Sequence, residues 1–184
     1  MSGADAERVA VIDFEASCLP AFGPSYPIEV ALVAVDGEVL VSALIQPHPT
    51  WSGMAWDPAA ERLHGVSRDQ LAAEGRPAFE VIMDLNHAAR GMRVVSDSGL
   101  DEVWLQRLYA ATGVPAAFDI APIGELLAPE VAGAPGPDPI ADAAECAYFR
   151  FPRMHRATPD AQRLAETVRL ARTAASFTSL SARP

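Results

Sequence analysis

The sequence predicts an α/β domain in which helices cover a mixed five-stranded sheet. An apolar, β-branched run at residues 8–15 (RVAVIDFE) is typical of a buried strand. Residues 28–47 hold two further apolar runs joined by Asp36-Gly37, and Asp-Gly between such runs favours a hairpin. These three strands are therefore expected to be antiparallel. Helical and strand-like patterns alternate in the rest of the chain, which favours parallel strands for the remainder of the sheet.

Capping residues mark several of the predicted helices. Asp57 and Pro58 begin a short helix that Gly65 ends, and Gly113 stands at the C-cap of a helix that begins near Leu100. Further helices are predicted at 67–75, 77–91, 140–150 and 160–175. The fourth and fifth strands are predicted at 92–96 (MRVVS) and 116–120 (AAFDI), with a proline- and glycine-rich loop over 128–139.

Length and composition predict one domain over residues 1–184, with a C-terminal tail of about residues 174–184 that could be disordered. Half of the 184 residues are hydrophobic, which is sufficient for a core. The two cysteines, Cys18 and Cys146, are too few for a disulfide framework or a thiolate metal site. The sequence has no signal-peptide pattern and no apolar run of about 18 residues. We therefore expect a soluble, cytoplasmic protein with no membrane partner.

The charge of the chain is unevenly distributed. Its net charge of −10 opposes binding to nucleic-acid phosphates. All 14 basic residues are arginines, however, and seven of them lie in residues 150–184 beside only Asp160 and Glu166. That segment carries +5 and the rest of the chain −15. A locally basic segment is compatible with binding a short charged strand, but arginines that solubilise a helix surface explain the pattern equally well.

Two carboxylates, Asp13 and Glu15, end the first predicted strand. Residues i and i+2 of a strand point to the same face, so the two groups would repel each other and be costly to desolvate. A hard divalent cation such as Mg²⁺ or Mn²⁺ would remove that objection. The alternative is a strand that has simply emerged into solvent.

Two aspartates follow the fourth predicted strand in VVSDSGLDEVWL (94–105). Asp101 falls in the first turn of the next helix, where the helix dipole favours a negative charge. Asp97 lies in the turn before it and could cap the helix, contact a metal ion, or do both. Aspartates are common at helix N-termini without any functional role.

His155 and Asp160 lie five positions apart in HRATPDA (155–161), before a long helical pattern. One interpretation is a helix start, with Pro159 and Asp160 in the first turn and His155 on the surface. The functional interpretation directs Asp160 at the same metal site as the other carboxylates. Imidazole titrates near neutral pH, so His155 could then take a proton from the attacking water.

Taken in chain order, these motifs resemble those of the DnaQ-like DEDDh 3′–5′ exonucleases, a superfamily with a ribonuclease H-like fold. VIDFEAS (11–17) is similar to the first motif of the family. VVSDSGLDEVWL is similar to the second, usually written HNxxFDxxFL, and HRATPDA to the third, usually HxAxxDA. AERLHGVSRDQL (60–71) resembles the IHGI segment of the family. The resemblance spans almost the whole chain.

This resemblance implies hydrolysis of phosphodiester bonds at the 3′ end of single-stranded or short RNA or DNA. It implies a two-metal mechanism with Mg²⁺ or Mn²⁺ held by Asp13, Glu15, Asp101 and Asp160, and His155 as the general base. The H-x₄-D spacing implies a histidine base rather than the tyrosine of sister families. Many relatives form dimers, so a homodimer is compatible with the resemblance.

The second motif departs from the family pattern, because an aspartate, Asp97, stands at the pair where the family has His-Asn. The departure leaves open whether Asp97 joins the metal site or contacts substrate. The resemblance also implies substrate contacts from residues that follow the first motif or flank His155, namely Ala16, Ser17, Leu19, Arg153 and Arg156. Loop packing and solvated arginines are the alternatives for these residues.

Two other functions are compatible with the motifs. A nucleotide phosphohydrolase could use the same carboxylates and would release phosphate. A catalytically weak nucleic-acid-binding module of the same fold would bind without turnover. The second alternative is disfavoured because all five chemical positions of the family are occupied.

Overall fold

The computed structural model describes residues 7–131, 139–152 and 155–181 of the chain, with side chains described over 7–127, 140–152 and 155–173. Its centre is one five-stranded sheet with the order β3-β2-β1-β4-β5. The strands are β1 (Arg8–Ala16), β2 (Pro27–Ala34), β3 (Val39–Leu44), β4 (Met92–Ser96) and β5 (Ile120–Pro122). The first two pairings, β1 with β2 and β2 with β3, are antiparallel. Those of β1 with β4 and of β4 with β5 are parallel. The predicted mixed sheet is confirmed.

Seven α-helices surround the sheet in the described part of the chain. They are α1 (Pro58–His64), α2 (Arg68–Glu74), α3 (Ala78–Ala88), α4 (Gly99–Thr112), α5 (Ile123–Val131), α6 (Pro139–Arg150) and α7 (Ala157–Ser181). The predicted caps are present. The side chain of Asp57 accepts the Ala59 N–H at the start of α1, and Gly65 and Gly113 end α1 and α4 in the left-handed conformation. None of the described helices is long and apolar enough to cross a lipid bilayer.

Two of the predicted boundaries were wrong. The fifth strand was expected at 116–120 but begins at Ile120, because the Ala117 N–H donates to the Tyr109 hydroxyl on α4 instead of pairing with β4. The loop predicted over 128–139 begins too early, because α5 continues to Val131. Leu126 and Leu127 bury an apolar face of this helix against the sheet, and that packing overrides the proline and glycine signal. Helix α7 reaches Ser181, and residues 182–184 lie outside the described residues.

The two faces of β1 pack against different sets of helices. Its even-numbered residues, such as Ile12 and Phe14, join the larger core with α3 and α4. Its odd-numbered residues Val9 and Val11 join a second core, which α5, α6 and α7 complete. Alternation along a strand therefore directs Asp13 and Glu15 to the face that α7 covers.

Gly75 follows α2 at a close approach between two backbone segments. A Cβ at this position would lie 2.3 Å from the carbonyl oxygen of Leu71 and 2.7 Å from the amide nitrogen of Gln46. The next residue, Arg76, exchanges backbone hydrogen bonds with Leu44 and Gln46 at 2.9 Å, which holds this segment against the end of β3.

We expect Gly75→Ala to lower the free energy of unfolding by about 2 kcal/mol, because the new methyl group meets backbone atoms that cannot move away. Urea denaturation followed by circular dichroism measures this loss. The matched control is Gly124→Ala on α5, where an added Cβ meets nothing within 4 Å. The control should be neutral or stabilising by up to about 1 kcal/mol. A Gly75→Ala protein as stable as the wild type would contradict the described packing.

Candidate active site

The candidate site lies at the carboxyl end of the central strand β1. Asp13 and Glu15 are half-buried on the face covered by α7, and Asp160 is buried in the first turn of that helix. Asp101 reaches the same end of the strand from the first turn of α4, after β4. Four carboxylates that are far apart in the sequence therefore meet at one edge of the sheet, as the motifs predicted.

These carboxylates form two groups that share one member. Oxygen atoms of Asp13, Asp97 and Asp101 lie within 4.8 Å of one another, and so do oxygen atoms of Asp13, Glu15 and Asp160. We call them the Asp97 cluster and the Asp160 cluster. Asp13 belongs to both. The structure thus also brings Asp97, the residue at the departure from the family pattern, within reach of a shared cation.

Backbone and hydroxyl donors fix the position of Asp101. Its Oδ1 accepts the N–H of Phe14 on β1 at 3.1 Å, and its Oδ2 accepts the hydroxyl of Ser96 at the end of β4. The Asp101 residue is only 1% exposed. Ser98, not Asp97, is the N-cap of α4, with its hydroxyl oxygen accepting the Leu100 N–H. Asp97 is therefore not required as a cap.

Both carboxylate oxygens of Asp160 are also engaged. Oδ2 accepts the N–H of Arg156 at 3.0 Å, and Oδ1 lies 2.5 Å from Nη1 of Arg163, one helical turn further along α7. The side chain of Arg163 is 18% exposed, so this ion pair is largely shielded from water. Arg163 was not among the predicted site residues, although the i, i+3 spacing of Asp160 and Arg163 on a helix is a signal for such a pair.

A buried ion pair attaches the start of α7 to the sheet. Arg156 donates from Nε and Nη2 to the two carboxylate oxygens of Glu29 at 2.8 and 2.7 Å, and the N–H of Ala157 donates to Glu29 Oε2 at 3.2 Å. Glu29 faces Glu15 across the β1–β2 pairing. Glu29 was not among the predicted site residues either, although it is a lone acid within the apolar run of β2. This ion pair occupies the guanidinium of Arg156, a group that the resemblance implies as a substrate contact.

Other arginines of the basic C-terminal segment are paired within the protein as well. Arg150 and Arg169 both contact Glu166, at 2.8 and 2.7 Å. Together with Arg156 and Arg163, this makes four arginines of the segment that hold carboxylates of this chain. These contacts favour the interpretation that the arginines belong to a helix surface with internal ion pairs. They weigh against a free basic surface that binds a nucleic-acid strand.

The clustering raises the pKa of several carboxyl groups. Burial, and then the charges of Asp101 and Glu15, raise the pKa of Asp13 well above its usual value. Burial, followed by the charge of Asp160, raises the pKa of Glu15 to about 8. Burial also raises the pKa of Asp101 to about 7, despite the opposing hydrogen bonds from Ser96 and Phe14. The site therefore holds protons at neutral pH that a cation would displace.

The donor set fits hard divalent cations. The two clusters contain carboxylates alone among the described residues, and oxygen ligands are those that Mg²⁺ and Mn²⁺ prefer. In addition, Oδ2 of Asp13 is buried and has no hydrogen-bond partner among the described residues. A buried carboxylate oxygen without a partner is costly. A cation bound at the shared residue would supply the missing partner.

His155 lies in the turn just before α7 and belongs to neither cluster. Its backbone has a φ of 60°, the left-handed conformation, which is unusual for a residue with a side chain. The backbone N–H of the next residue, Arg156, donates to Asp160, and the side chain of Arg156 binds Glu29. The contacts of Arg156 therefore hold the C-terminal side of this turn in place and support a backbone conformation that costs free energy at a residue with a side chain.

The other residues implied as substrate contacts differ in exposure. Ala16 and Ser17 are buried, and the hydroxyl of Ser17 accepts the N–H of Tyr26 at 3.1 Å. Leu19 is 50% exposed on the loop after β1. Arg153 lies outside the described residues. His64 of the IHGI-like segment is buried, and its Nδ1 accepts the Val66 N–H at 3.0 Å, so it packs within its turn.

Sheet order and strand directions are those of the ribonuclease H-like fold, which confirms the predicted fold. No model of a known protein family matches the chain, and no curated protein matches its sequence. Solved structures do match. Exonuclease I from Methylocaldum szegediense has a TM-score of 0.66 at 15% identity. E. coli exonuclease I, solved in complex with a dA16 oligonucleotide, has a TM-score of 0.67 at 11% identity.

A full-length 3′-exonuclease is similar as well, with a TM-score of 0.64 at 16% identity. The match covers 95% of this chain and 64% of that protein, whereas the two exonuclease I matches each cover 91% of this chain and 41% of the other. The chain thus spans less than half the length of exonuclease I. At these sequence identities the likeness shows the fold alone.

The raised pKa values predict how stability depends on pH without metal. A carboxyl group whose pKa is higher in the folded state stabilises that state at low pH, and this stabilisation is lost as the pH rises through the folded pKa. For Glu15 the pKa rises from 4.5 to about 8. We therefore expect the Tm in EDTA to fall between about pH 4.5 and pH 8.

Thermal unfolding followed by circular dichroism measures this dependence. Glu15→Gln removes one of the titrating groups, so its Tm should fall less steeply with pH. Saturating Mg²⁺ should also reduce the decrease, because the cation offsets the repulsion among the ionised carboxylates. A Tm in EDTA that rises over this range would mean that the carboxylates are not repulsive in the folded protein.

Proposed function

We propose that this protein is a metal-dependent 3′–5′ exonuclease that hydrolyses phosphodiester bonds at the 3′ end of single-stranded or short nucleic acid. The observation that carries the proposal is the sharing of Asp13 between two carboxylate clusters at the edge of a ribonuclease H-like sheet. Two adjacent cation sites with a common ligand suit in-line displacement at a phosphate. The solved structures with this fold include exonucleases, which supports the same class of reaction here.

The metal ligands of the proposed enzyme are Asp13, Glu15, Asp101 and Asp160. Divalent cations, Mg²⁺ or Mn²⁺, would make the attacking water more acidic and stabilise negative charge on the phosphate and the leaving oxygen. The protein fixes two of these carboxylates before any cation binds, because Phe14 and Ser96 donate hydrogen bonds to Asp101 and Arg156 donates one to Asp160. This preorganisation reduces the cost of assembling the site.

His155 is the proposed general base. It would accept the proton of the attacking water, as an imidazole can near neutral pH. Its position in the turn before Asp160, together with its absence from both clusters, supports a proton-transfer role over a ligand role. The held conformation of the turn would keep the ring oriented when substrate enters.

The proposed substrate is a free 3′ end of single-stranded RNA or DNA. Leu19 and Phe22, 50% and 69% exposed on the loop after β1, offer apolar surface for stacking against a terminal base. Internal pairing of arginines leaves fewer cations for a long phosphate track, which favours short substrates. E. coli exonuclease I was solved in complex with single-stranded DNA. Another similar structure concerns recognition of a histone mRNA stem-loop by a 3′-exonuclease. These neighbours support either DNA or RNA as the substrate. The single-domain organisation, the cytoplasmic location and the homodimer stay predictions.

The proposal is tested with 5′-labelled single-stranded RNA and DNA oligomers in Mg²⁺, Mn²⁺ or EDTA. We expect products that shorten stepwise from the 3′ end and release nucleoside monophosphates, with no cleavage in EDTA. Asp13→Asn and Asp160→Asn should abolish the reaction, because each removes a ligand. The matched control is Asp69→Asn, an exposed aspartate on α2 that belongs to neither cluster.

Cleavage in EDTA, or full activity in both ligand variants, would contradict the proposal. Release of inorganic phosphate from nucleotides, with intact oligomers, would indicate a nucleotide phosphohydrolase instead. Tight oligomer binding without turnover in any metal would indicate a binding module.

The role of His155 has a separate test. We expect His155→Ala to lower the hydrolysis rate by about 100-fold or more, because it removes the proton acceptor. Mn²⁺ affinity, measured by isothermal titration calorimetry, should stay within about twofold of the wild type, because the ligands are intact. A variant that loses metal affinity together with activity would show that His155 is a ligand.

A further inference from the structure

The two carboxylate clusters differ in the charges that surround them. The Asp97 cluster contains a carboxylate at a position of the second motif where the family pattern has no acid. In the Asp160 cluster, the guanidinium of Arg163 already contacts one of the ligands. The first cluster therefore gains a negative charge, and the second already has a positive charge in contact with a ligand.

Arg163 acts directly on the Asp160 cluster. Its Nη1 lies 2.5 Å from Oδ1 of Asp160, while the N–H of Arg156 occupies Oδ2 of the same carboxylate at 3.0 Å. A cation that approaches Asp160 has to take the place of one of these donors, and the long arginine side chain is more easily displaced than the backbone. Even when displaced, the guanidinium stays tethered nearby and repels a divalent ion.

Asp97 acts on the other cluster. It is exposed, it does not cap α4, and one of its oxygens lies within 4.8 Å of ligand oxygens of Asp13 and Asp101. Affinity for hard cations increases with the number of charged oxygen ligands. A third carboxylate therefore strengthens this cluster, which otherwise contains two.

We propose that the two clusters bind their cations with unequal affinity and in a fixed order, the Asp97 cluster first and the Asp160 cluster second, after displacement of Arg163. In this inference, which rests on the proposed metal-dependent function, Asp97 is an additional metal ligand and Arg163 an internal counter-ion of Asp160. The order follows from Asp97 and Arg163, neither of which is one of the four acids or the histidine that the resemblance assigns to the DEDDh set.

Isothermal titration calorimetry of the metal-stripped protein with Mn²⁺ tests the inference without an activity assay. We expect two binding steps in the wild type. Asp97→Asn should weaken the tighter step by about tenfold, and Arg163→Gln should strengthen the weaker step by about tenfold. The double variant should bring the two constants together. Arg163→Lys, which keeps the charge, should stay closer to the wild type than Arg163→Gln.

Arg169→Gln is the matched control for Arg163. Arg169 lies on the same helix and pairs with Glu166 at the same i, i+3 spacing, and Glu166 belongs to neither cluster. This variant should leave both constants unchanged. Circular dichroism of each variant checks that α7 is intact.

Three results would overturn the inference. Two binding steps of equal affinity in the wild-type protein would contradict the inference but would leave a two-metal site in place. Weaker binding in Arg163→Gln would mean that the guanidinium orients Asp160 for the cation rather than competing with it. A wild-type protein that binds no Mn²⁺ would contradict both the inference and the metal-dependent function. Only in this third case would the wild-type protein also lack metal-dependent hydrolysis, so the assay separates it from the first two results.

Discussion

Repulsion among the carboxylates around Asp13 is the constraint on which the rest of the site depends. Like charges at this separation in a partly buried site destabilise one another and are costly to desolvate. The protein reduces this cost in three ways: protons stay on the acids, backbone and hydroxyl groups donate hydrogen bonds, and Arg163 contributes a positive charge. Each of these also affects how readily a cation binds, so stability and function are linked at this position.

The ion pair between Glu29 and Arg156 connects the carboxylate site to the rest of the fold. Glu29 is fixed in β2, which is buried along its whole length, and Arg156 precedes α7 directly. A buried pair of this kind contributes little net stability compared with apolar packing, but it fixes the relative position of the elements that carry it. Here those elements are the sheet that holds Asp13 and Glu15 and the helix that holds Asp160. The separation between the two carboxylates and the helix is thus set partly by a contact to Glu29, a residue outside the motifs.

Local patterns in the sequence accounted for most of the fold and indicated the four carboxylates that the structure brings to one edge of the sheet. Strand periodicity directed Asp13 and Glu15 to one face, and the Asp57, Gly65 and Gly113 caps positioned two helices. The failures have a common cause. Helix α5 and the start of β5 depend on packing against other elements, which a local pattern does not contain. Arg156 and Glu29 lie 127 positions apart, so their pairing could not be predicted from the spacing of the motifs.

The left-handed backbone of His155 limits which residues this position accepts. Only glycine, asparagine and aspartate adopt such a φ at little cost. Asparagine would preserve the turn, and with it the attachment of α7, while removing the imidazole. Among homologues, a chain with asparagine here would keep the fold and the carboxylates but lack the proposed proton acceptor. The same exchange in this protein is therefore a route to a substrate trap for crystallography, since it would remove the proposed base without disturbing the backbone that supports it.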